Sequence, residues 1–566
     1  MLRKKLFLIV FLAGLLLFNG CVKKTGETAP ATAPVPEPEE TAAEVTPEPT
    51  EEPPSEYVIS DPLLKADTSV KDNNRVFYEI FVGSFSDSNG DGIGDLRGII
   101  NRMDYLNDGD PDSGKSLGVE GLWLTPVFES PSYHKYDVQD YYKIDPEFGT
   151  EEDLTELIQL CHARDVLVIL DLPINHTSNF NQWFGSFRSA HRSGATDDPF
   201  YDFYTWYDGE TAGAPAGRTV TKVSGTSHYV ECNFSGSMPE LNFDNEIVRQ
   251  EVLNVATHYI ALGIDGFRFD AAKYVYFGEH KENQDFWIWY LGKLRELKND
   301  IYTVAEVWDG DGITDLYYPA TNCFNFTVSQ SSGLIAETAN KGDVNRYASY
   351  VESYLNKIHS LREDAAYVPF IANHDTDRAA GYLTVASGSM QMAANLYLLG
   401  PGSPFIYYGE EIGMRGSRGG ANTDANRRLA MLWGDGDTIT DPTGTTYDKK
   451  NQIETTVADQ LKKPSSLLNY YKKLLMVRKA NPEIARGTYS ALKNPSSKVG
   501  GFASTYQGKT VLVLHNTTTS VKEVDLTAIT DFIPDSLAAV IGLEDASLSG
   551  STLSIGAQTS VVIRCR

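Results

Sequence analysis

The chain has 566 residues, of which 41% are apolar and 11% aromatic, so it is long enough for two or three globular domains. Its formal net charge is −27. That excess of acid argues against nucleic acid as a partner and favours a soluble surface that repels polyanions.

The N-terminus has the form of an export signal. Three basic residues (3–5) precede an apolar run (6–18) that is shorter than a membrane-spanning helix requires. The following Asn-Gly-Cys21 resembles a bacterial lipoprotein box, in which Cys21 is lipidated and begins the mature chain. We therefore expect a signal peptide over residues 1–20 and an exported, cell-envelope lipoprotein anchored to a bacterial membrane. The alternative is an ordinary signal peptide or an uncleaved anchor.

The segment that follows Cys21 is not expected to form a hydrophobic core. Residues 22–56 contain eight Pro and nine Glu. Such a composition has little to bury and repels itself, so it favours an extended chain. We expect a tether over residues 21–60 that holds a globular body away from the membrane.

The other cysteines do not indicate a metal site. None lies in a Cys-x-x-Cys pair, and their wide spacing gives no disulfide framework. We therefore expect buried free thiols at Cys161, Cys232, Cys323 and Cys565.

From residue 72 to 480, strand-like and helix-like segments alternate. The first predicted helices are Leu96–Leu106 and Glu151–Arg164. Apolar strands that alternate with helices indicate a parallel sheet covered on both faces, and eight such strands close a barrel. The predicted fold is therefore α/β, a (β/α)8 TIM barrel formed by residues 72–176 and 246–480. The predicted strands are Arg75–Phe85, Val119–Thr125, Val166–Leu172, Ile264–Phe269, Ile301–Val307, Cys323–Val328, Tyr367–Ala372 and Pro404–Tyr408.

Two further regions do not fit the alternation. Residues 177–245 lack helical periodicity and are rich in Gly, Asn, Ser and aromatics, which indicates an excursion domain after the third strand. Residues 481–566 contain short alternating runs, which predict an antiparallel β-sandwich.

Four segments place polar groups at the ends of the predicted strands: 171–176, 266–273, 305–308 and 370–375. The carboxyl ends of the strands in a parallel barrel meet at one face, where active sites are built. A single Asp at such a position is usually only a helix N-cap. The joint occurrence of acids in four segments instead indicates chemistry at this face. The groups concerned are Asp270, Glu306, Asp375, Arg268, His176 and His374.

This set suits a glycosidase with two carboxylates. In retaining enzymes a nucleophile and an acid/base lie about 5–5.5 Å apart. Asp270 and Glu306 end successive predicted strands, which are about 4.8 Å apart in a sheet. Arg268 lies on the same strand face as Asp270 and would keep it ionised, whereas the apolar neighbours of Glu306 would raise its pKa, as a general acid requires.

The same segments resemble the α-amylase family of retaining glycoside hydrolases (family 13), in order and essentially throughout residues 72–566. The resemblance implies that Asp270 is the nucleophile, Glu306 the acid/base and Asp375 the stabiliser of the transition state. The implied ligands of the sugar at the cleaved bond are Arg268, His176, His374 and Lys273, together with His134, Tyr136 and Asp137 of the loop Tyr-His-Lys-Tyr-Asp (133–137).

Three positions bear on specificity or on metal binding within the family. Met-Pro-Glu-Leu-Asn (238–242) resembles the signature of the group between oligo-1,6-glucosidases and neopullulanases, although Glu240 replaces the usual Asp. The small Ala271 after the nucleophile resembles α-glucosidases that act on α-1,4 bonds. Tyr274 stands where many α-amylases carry a His that helps to hold calcium, which argues against that calcium site here.

A different loop predicts a Ca²⁺ site. Residues 87–95 carry oxygen ligands at alternating positions and a Gly at the sixth, as the first nine positions of an EF-hand loop do. The twelfth position is Gly98, so the bidentate Glu of an EF-hand is missing. The loop resembles a calcium site of several α-amylase relatives, and the alternative is a solvated Asx-turn loop. The predicted ligands are Asp87, Asn89, Asp91, the carbonyl of Ile93, and Asp95.

The sequence thus predicts a lipid-tethered retaining hydrolase of α-1,4 bonds in starch, glycogen or maltooligosaccharides. One alternative is a transglycosidase, a neopullulanase or an α-glucosidase of the same family. Another is a non-catalytic glucan-binding lipoprotein. No nucleic-acid partner is expected.

Overall fold

The computed structural model describes residues 58–60, 72–209, 217–493, 496 and 498–566. The predicted signal peptide (1–20), the lipidation site Cys21 and most of the predicted tether (21–60) lie outside these residues, so the membrane anchor stays a prediction. Within the described ranges no helix is both long and apolar enough to cross a membrane.

Seven parallel strands form the central sheet. In chain order they are β1 (Phe77–Ile80), β2 (Gly121–Leu124), β3 (Leu167–Leu172), β4 (Gly266–Phe269), β5 (Tyr302–Ala305), β6 (Asn322–Cys323) and β7 (Phe405–Tyr407). Their spatial order is β6-β5-β4-β3-β2-β1-β7, with every pair parallel.

The sheet closes through the segment 366–372. Parallel bridges from Phe324 to Val368 and from Phe370 to Phe405 join the end of β6 to β7. The predicted strand Tyr367–Ala372 is therefore present as bridges rather than as a continuous ladder. The eight parallel segments confirm the predicted (β/α)8 barrel.

Apolar side chains fill the barrel interior. Phe77, Trp123, Tyr302 and Phe405 are each at most 1% exposed and belong to one buried cluster. A TIM barrel is packed in this way because inward-pointing residues of neighbouring strands form layers. The interior is thus filled with packed side chains beneath the strand ends.

Helices cover the outside of the barrel. The helix predicted over Leu96–Leu106 is divided at Arg102, whose φ of −98° and ψ of 4° leave the helical region. The helix predicted from Glu151 begins there, with a capping box from Thr150 to Asp153. The helices of this layer are Leu96–Asn101, Met103–Leu106, Glu151–Ala163, Glu246–Leu262, His280–Leu297, Leu334–Lys341, Val344–Leu361, Ser389–Leu398 and Leu467–Ala480.

The segment between β3 and β4 contains both a helix and a small sheet. Strands Trp206–Asp208, Val220–Lys222 and His228–Glu231 pair antiparallel. The helix Gln182–Ser193 contradicts the expectation that this region lacks helical periodicity. Asn181 caps its first turn, Gly194 ends it with φ of 68°, and Phe184 and Phe187 lie on its buried face.

The C-terminal residues form two antiparallel sheets. Six strands have the order Val58–Ser60, Pro534–Gly542, Thr559–Cys565, Lys509–Asn516, Val499–Tyr506 and Thr488–Ala491, and three have the order Lys522–Asp525, Thr552–Ile555 and Ala546–Ser549. Leu512 and Val561 of the larger sheet share a core with Leu553 of the smaller one. Val58–Ser60, inside the predicted tether, thus forms an edge strand instead.

The cysteines within the described residues agree with the sequence expectation at three of the four positions, and Cys565 departs from the expected burial. Cys161, Cys232 and Cys323 are buried free thiols, and Cys565 is a free thiol that is partly exposed. Burial raises the pKa of the Cys232 thiol to about 11, so it stays protonated at neutral pH.

Candidate active site

Asp270 and Glu306 lie at the same end of adjacent strands. Phe269 of β4 is paired with Ala305 of β5, so the next residue of each strand is one of the two acids. Because neighbouring strands are about 4.8 Å apart, this register places the two carboxylates side by side. Both residues are largely buried, at 8% and 9% exposure.

The guanidinium of Arg268 contacts three carboxylates. Its Nη1 donates to Asp270 Oδ1 at 2.6 Å and to Asp171 Oδ1 at 2.8 Å. Its Nη2 lies 3.1 Å from Glu306 Oε2, an ion-pair contact without the alignment of a hydrogen bond. Arg268 is fully buried, and these carboxylates hold its pKa well above the usual value despite the burial. One cation therefore organises the acid cluster.

The backbone after Asp270 is turned into the site. Ala271 has φ of 47° and ψ of 39°, which is the left-handed region that non-glycine residues rarely adopt. Its N–H donates to Glu306 Oε2, 3.1 Å away. Such strain persists only where the surrounding structure imposes it, and it commonly marks functional sites.

Glu306 has the electrostatics of a general acid. Burial raises its pKa to about 7, since the charge of Asp270 adds to desolvation and the Arg268 charge only partly offsets them. A carboxyl with this pKa can hold a proton near neutral pH and release it in a reaction.

Asp375 has the opposite environment. His374 Nε2 lies 2.9 Å from one carboxylate oxygen, and Arg428 Nη2 donates to the other at 2.7 Å. Burial alone would raise the pKa of Asp375, but these two positive charges outweigh it and hold the pKa well below its usual range. Asp375 is thus a permanent anion beside the acid pair.

His374 links Asp375 to the barrel interior. Its Nδ1 lies 2.6 Å from Glu79 Oε1 on β1, and its Nε2 lies 2.7 Å from the hydroxyl of Tyr136. Although burial lowers the pKa of His374, Asp375 and Glu79 raise it to about 10, so the imidazole is charged at neutral pH. Tyr136 donates in turn to Asp171 at 2.8 Å and stacks on the His374 ring at 5.4 Å.

His176 is buried and keeps an unpaired nitrogen. Its Nε2 has no hydrogen-bond partner among the described residues, and its ring lies 5.2 Å from that of Phe234. Burial lowers its pKa, so the imidazole is neutral. A buried polar atom without a partner is unusual and indicates a position that a ligand would satisfy.

Three predicted ligands contact loops rather than the acid cluster. Lys273 Nζ donates to the carbonyl of Trp308 at 2.8 Å and to Asp309 at 3.0 Å. Asp137 accepts hydrogen bonds from the hydroxyls of Ser130 and Ser132. His134 Nδ1 accepts the N–H of Tyr136 at 3.1 Å, which fixes the turn that carries Tyr136.

Three charged residues of the site were absent from the predicted site residues, and one of them, Asp171, contacts Arg268. Arg428 holds Asp375, and Glu79 holds His374. Arg428 belongs to a long segment after β7 with little regular structure, where no periodicity marks a position. Glu79 could have been found, because an acid within the apolar β1 is unlike the buried residues around it.

The predicted calcium loop is stabilised by hydrogen bonds between its own side chains and backbone. Asp87, Asn89 and Asp91 each accept the N–H two residues ahead, at 2.8–3.0 Å. Gly92, at the sixth position, has φ of 89°. Asp95 instead caps the helix Leu96–Asn101 through the N–H of Gly98 at 2.6 Å. Within the described ranges no three acidic, His or Cys side chains converge as a metal-binding group.

These geometric features agree with the comparison to known families. The family model "Alpha amylase, catalytic domain" matches residues 79–487. The chain belongs to the α-amylase family of glycoside hydrolases. It is therefore an enzyme of a family that contains hydrolases and transglycosidases.

The α-amylase relatives cover most of the chain. Alpha-amylase 3 of Dictyoglomus thermophilum is 35% identical over 446 residues, covering 78% of this chain and 84% of that protein. The 4-alpha-glucanotransferase of Thermotoga neapolitana is 29% identical over 448 residues, covering 78% and 95%. The solved structure of Eubacterium rectale Amy13B has a TM-score of 0.80 at 33% identity and covers 88% of this chain and 97% of that one.

The pKa of Glu306 sets an expectation for the pH dependence of turnover. If Glu306 must donate a proton, kcat/KM for an aryl α-glucoside will fall as pH rises through about 7. Initial rates between pH 4 and 10 measure this limb. Glucosyl fluoride needs no protonated leaving group, so Glu306→Gln should retain more activity on it and lose the limb. Wild-type activity that stays level to pH 10 would contradict the role.

Proposed function

We propose that this chain is a retaining hydrolase of α-1,4-glucosidic bonds in starch, glycogen or maltooligosaccharides. The observation that carries the proposal is the acid pair in contact with Arg268: Asp270 touches its Nη1, and Glu306, with a pKa of about 7, lies against its Nη2. A nucleophile beside a protonated acid is what a double displacement requires.

In the first step Asp270 attacks the anomeric carbon of the bound sugar. Glu306 donates its proton to the glycosidic oxygen as that bond breaks, and a covalent glucosyl ester forms on Asp270. Arg268 orients the attacking carboxylate through its 2.6 Å hydrogen bond. The anion of Asp375, close to the developing positive charge of the sugar ring, would stabilise the transition state more than the ground state.

In the second step Glu306, now ionised, removes a proton from water. The water attacks the same anomeric carbon, and the ester bond to Asp270 breaks, which regenerates both carboxyls. Two inversions retain the α configuration. The neutral His176, with its free Nε2, is available to hydrogen-bond a sugar hydroxyl.

Ala271 supports the choice of α-1,4 bonds. It is 4% exposed and follows Asp270 directly, and in related α-glucosidases a small residue at this position accompanies α-1,4 specificity. The segment 238–242, which resembles the signature of the group between oligo-1,6-glucosidases and neopullulanases, keeps a neopullulanase or an α-glucosidase as the alternative specificities.

Transglycosylation is the second candidate. Trp308, two residues after Glu306, is 42% exposed and stacks on Phe326 at 5.0 Å. An exposed aromatic face next to the acid could hold an acceptor sugar in place of water. The Thermotoga neapolitana relative bears the name of such an activity. A non-catalytic glucan-binding lipoprotein is disfavoured by the complete acid cluster.

A product time course on maltoheptaose tests the proposal. We expect shorter maltooligosaccharides from the first time point, released as α-anomers in proton NMR, because two displacements retain configuration. Asp270→Asn should lower kcat by at least about 10³-fold, since removal of one member of a catalytic triad costs about 10⁴–10⁶ in kcat.

Asp535→Asn is the matched control, because this acid pairs with Arg566 on the C-terminal sheets. The control should retain full activity. Near-full activity of Asp270→Asn, or initial release of β-anomers, would contradict the retaining mechanism. Products that are mainly longer than maltoheptaose would favour the transglycosidase.

We also propose that Ca²⁺ binds the loop 87–95. Asp87, Asn89 and Asp91 would supply side-chain oxygens and Ile93 its carbonyl, since their Asx turns and the left-handed Gly92 already give the winding of a calcium loop. Asp95, which caps a helix, fits this set less well. The ion would act structurally, by neutralising acids that repel one another.

Calcium should therefore raise the melting temperature. We expect a higher Tm in millimolar CaCl₂ than in a chelator, because a ligand that binds only the folded state stabilises it. Asp91→Asn is expected to reduce this shift, whereas Asp535→Asn, a charge change far from the loop, should leave it intact. Equal Tm values in calcium and chelator would exclude the site.

Anchoring at the cell envelope through Cys21 completes the proposal. After expression in a bacterium, we expect the full chain in the membrane fraction and the Cys21→Ser variant outside it, because the variant lacks the thiol to be lipidated. Cys161→Ser is the control and should fractionate with the wild type. Recovery of Cys21→Ser in membranes to the same extent as the wild type would contradict a lipid anchor.

A further inference from the structure

Lys135 is a buried cation within the loop that carries three of the predicted sugar ligands. It is 3% exposed, and it lies between His134 and Tyr136 in the chain. The contacts of its ammonium group lie outside the acid cluster. Lysines are almost never buried unless a partner accepts their charge, so we looked for the groups that hold this one and for what they hold in place.

Two acids accept the charge of Lys135. Its Nζ lies 2.9 Å from Asp145 Oδ2, and both side chains are 4% exposed. Nζ also donates to Glu147 Oε2 at 2.6 Å and lies 5.3 Å from the centre of the Phe148 ring. Water screens a buried pair much less than an exposed one. Asp145 is therefore the main anchor of Lys135, whereas the Glu147 side chain is 48% exposed and contributes less.

The backbone at Lys135 has a conformation that lysine seldom adopts. Its φ is 63°, in the left-handed region, where a side chain crowds the backbone and glycine is the usual residue. Such a conformation persists only where the surrounding contacts impose it. Glycine would form the same turn without strain, but it would lack the ammonium group that reaches Asp145. The lysine is thus explained by its side chain rather than by the turn.

Asp145 connects the lysine to the start of the same loop. Its Oδ2 also accepts the N–H of Ser130 at 2.9 Å, and its Oδ1 accepts the N–H of Glu147 at 3.0 Å. Asp145 directly follows the strand Asp140–Ile144, which pairs antiparallel with Phe128–Glu129. The ion pair therefore ties the turn to a paired strand as well as to the beginning of the loop.

The turn at Lys135 leads directly to Tyr136, which contacts the acid cluster. The Tyr136 hydroxyl donates to Asp171 Oδ2 at 2.8 Å and lies 2.7 Å from His374 Nε2. Both distances are near the optimum for a hydrogen bond to a hydroxyl. A shift of the turn by about 1 Å would therefore weaken both contacts at once.

We propose that Lys135 is a positioning residue, whose buried ion pair with Asp145 holds Tyr136 in place. The Tyr136 hydroxyl then stays between His374 and Asp171, where it orients both groups. Lys135 itself touches no reacting atom and acts through Tyr136. The inference rests on the proposed hydrolase function, because its consequence is an effect on turnover.

A double-mutant cycle on the consumption of maltoheptaose tests this role. Lys135→Met removes the charge and keeps most of the side-chain length. It should lower kcat/KM at least about tenfold, since a misplacement of about 1 Å in an active site can cost about 10²-fold. In the Tyr136→Phe background the same change should cost less than about twofold, because the hydroxyl through which Lys135 acts is absent. Equal losses in the two backgrounds would overturn the proposal.

Lys143→Met is the matched control. The ammonium group of Lys143 also pairs with two acids, Glu129 and Asp140, but the side chain is 59% exposed. The control should keep the wild-type kcat/KM, because an exposed ion pair contributes little. If Lys135→Met does not fold, the variant Lys135→Met/Asp145→Asn removes both buried charges and takes its place in the cycle.

The outcomes separate this proposal from that of hydrolysis. An unchanged kcat/KM in folded Lys135→Met, or in folded Lys135→Met/Asp145→Asn, would overturn the positioning role alone. Products mainly longer than maltoheptaose would overturn hydrolysis, whereas the rate of maltoheptaose consumption would still report the effect of Lys135. Absence of any turnover by the wild type would overturn both proposals.

Discussion

Arg268 supplies the positive charge that lets three carboxylates come together at the ends of β3, β4 and β5. Asp171, Asp270 and Glu306 are each less than 10% exposed, and burial of isolated acids would cost several kcal/mol each. The guanidinium contacts all three, yet it cannot neutralise all three. The pKa of Glu306, and that of Asp171 at about 6, stay raised because burial still favours the neutral carboxyl. Glu306 can therefore hold the proton that the proposed chemistry needs, because one guanidinium cannot neutralise three buried carboxylates.

At Asp375 the ratio of positive charges to carboxylates is reversed. Two cations, His374 and Arg428, serve this one carboxylate, so it remains ionised. Glu79 keeps His374 charged from inside the barrel, which ties the state of the site to a residue within β1. Acids of one chemical type therefore differ in protonation because the fold distributes a few positive charges unevenly among them.

The strands of the barrel and their ends could be predicted from local sequence. Runs such as Val166–Leu172, apolar except for Asp171, predicted strands because burial on both faces demands a nearly continuous apolar run, and their ends located the acids. The helix Gln182–Ser193 was missed because its buried Phe184 and Phe187 lie in an aromatic-rich region that obscures the period. Arg428 was missed for a different reason: its partners Asp375 and Tyr133 lie 53 and 295 positions away, and only the closed barrel brings them together.

Glu240 shows how a departure from the family pattern can be accommodated without a cation. Its carboxyl contacts Asn175 Nδ2 at 2.6 Å and the N–H of Asn233 at 3.0 Å, next to the bridge that pairs it with His176. Burial raises the pKa of Glu240 to about 8, so at pH 7 the group is mainly neutral. Both contacts are N–H groups that donate to the carboxyl and lower its pKa, but desolvation and the nearby charge of Glu231 outweigh them. His176 is joined to this segment through the backbone bridge to Glu240, so the position of this proposed sugar ligand does not depend on the charge of the Glu240 carboxyl.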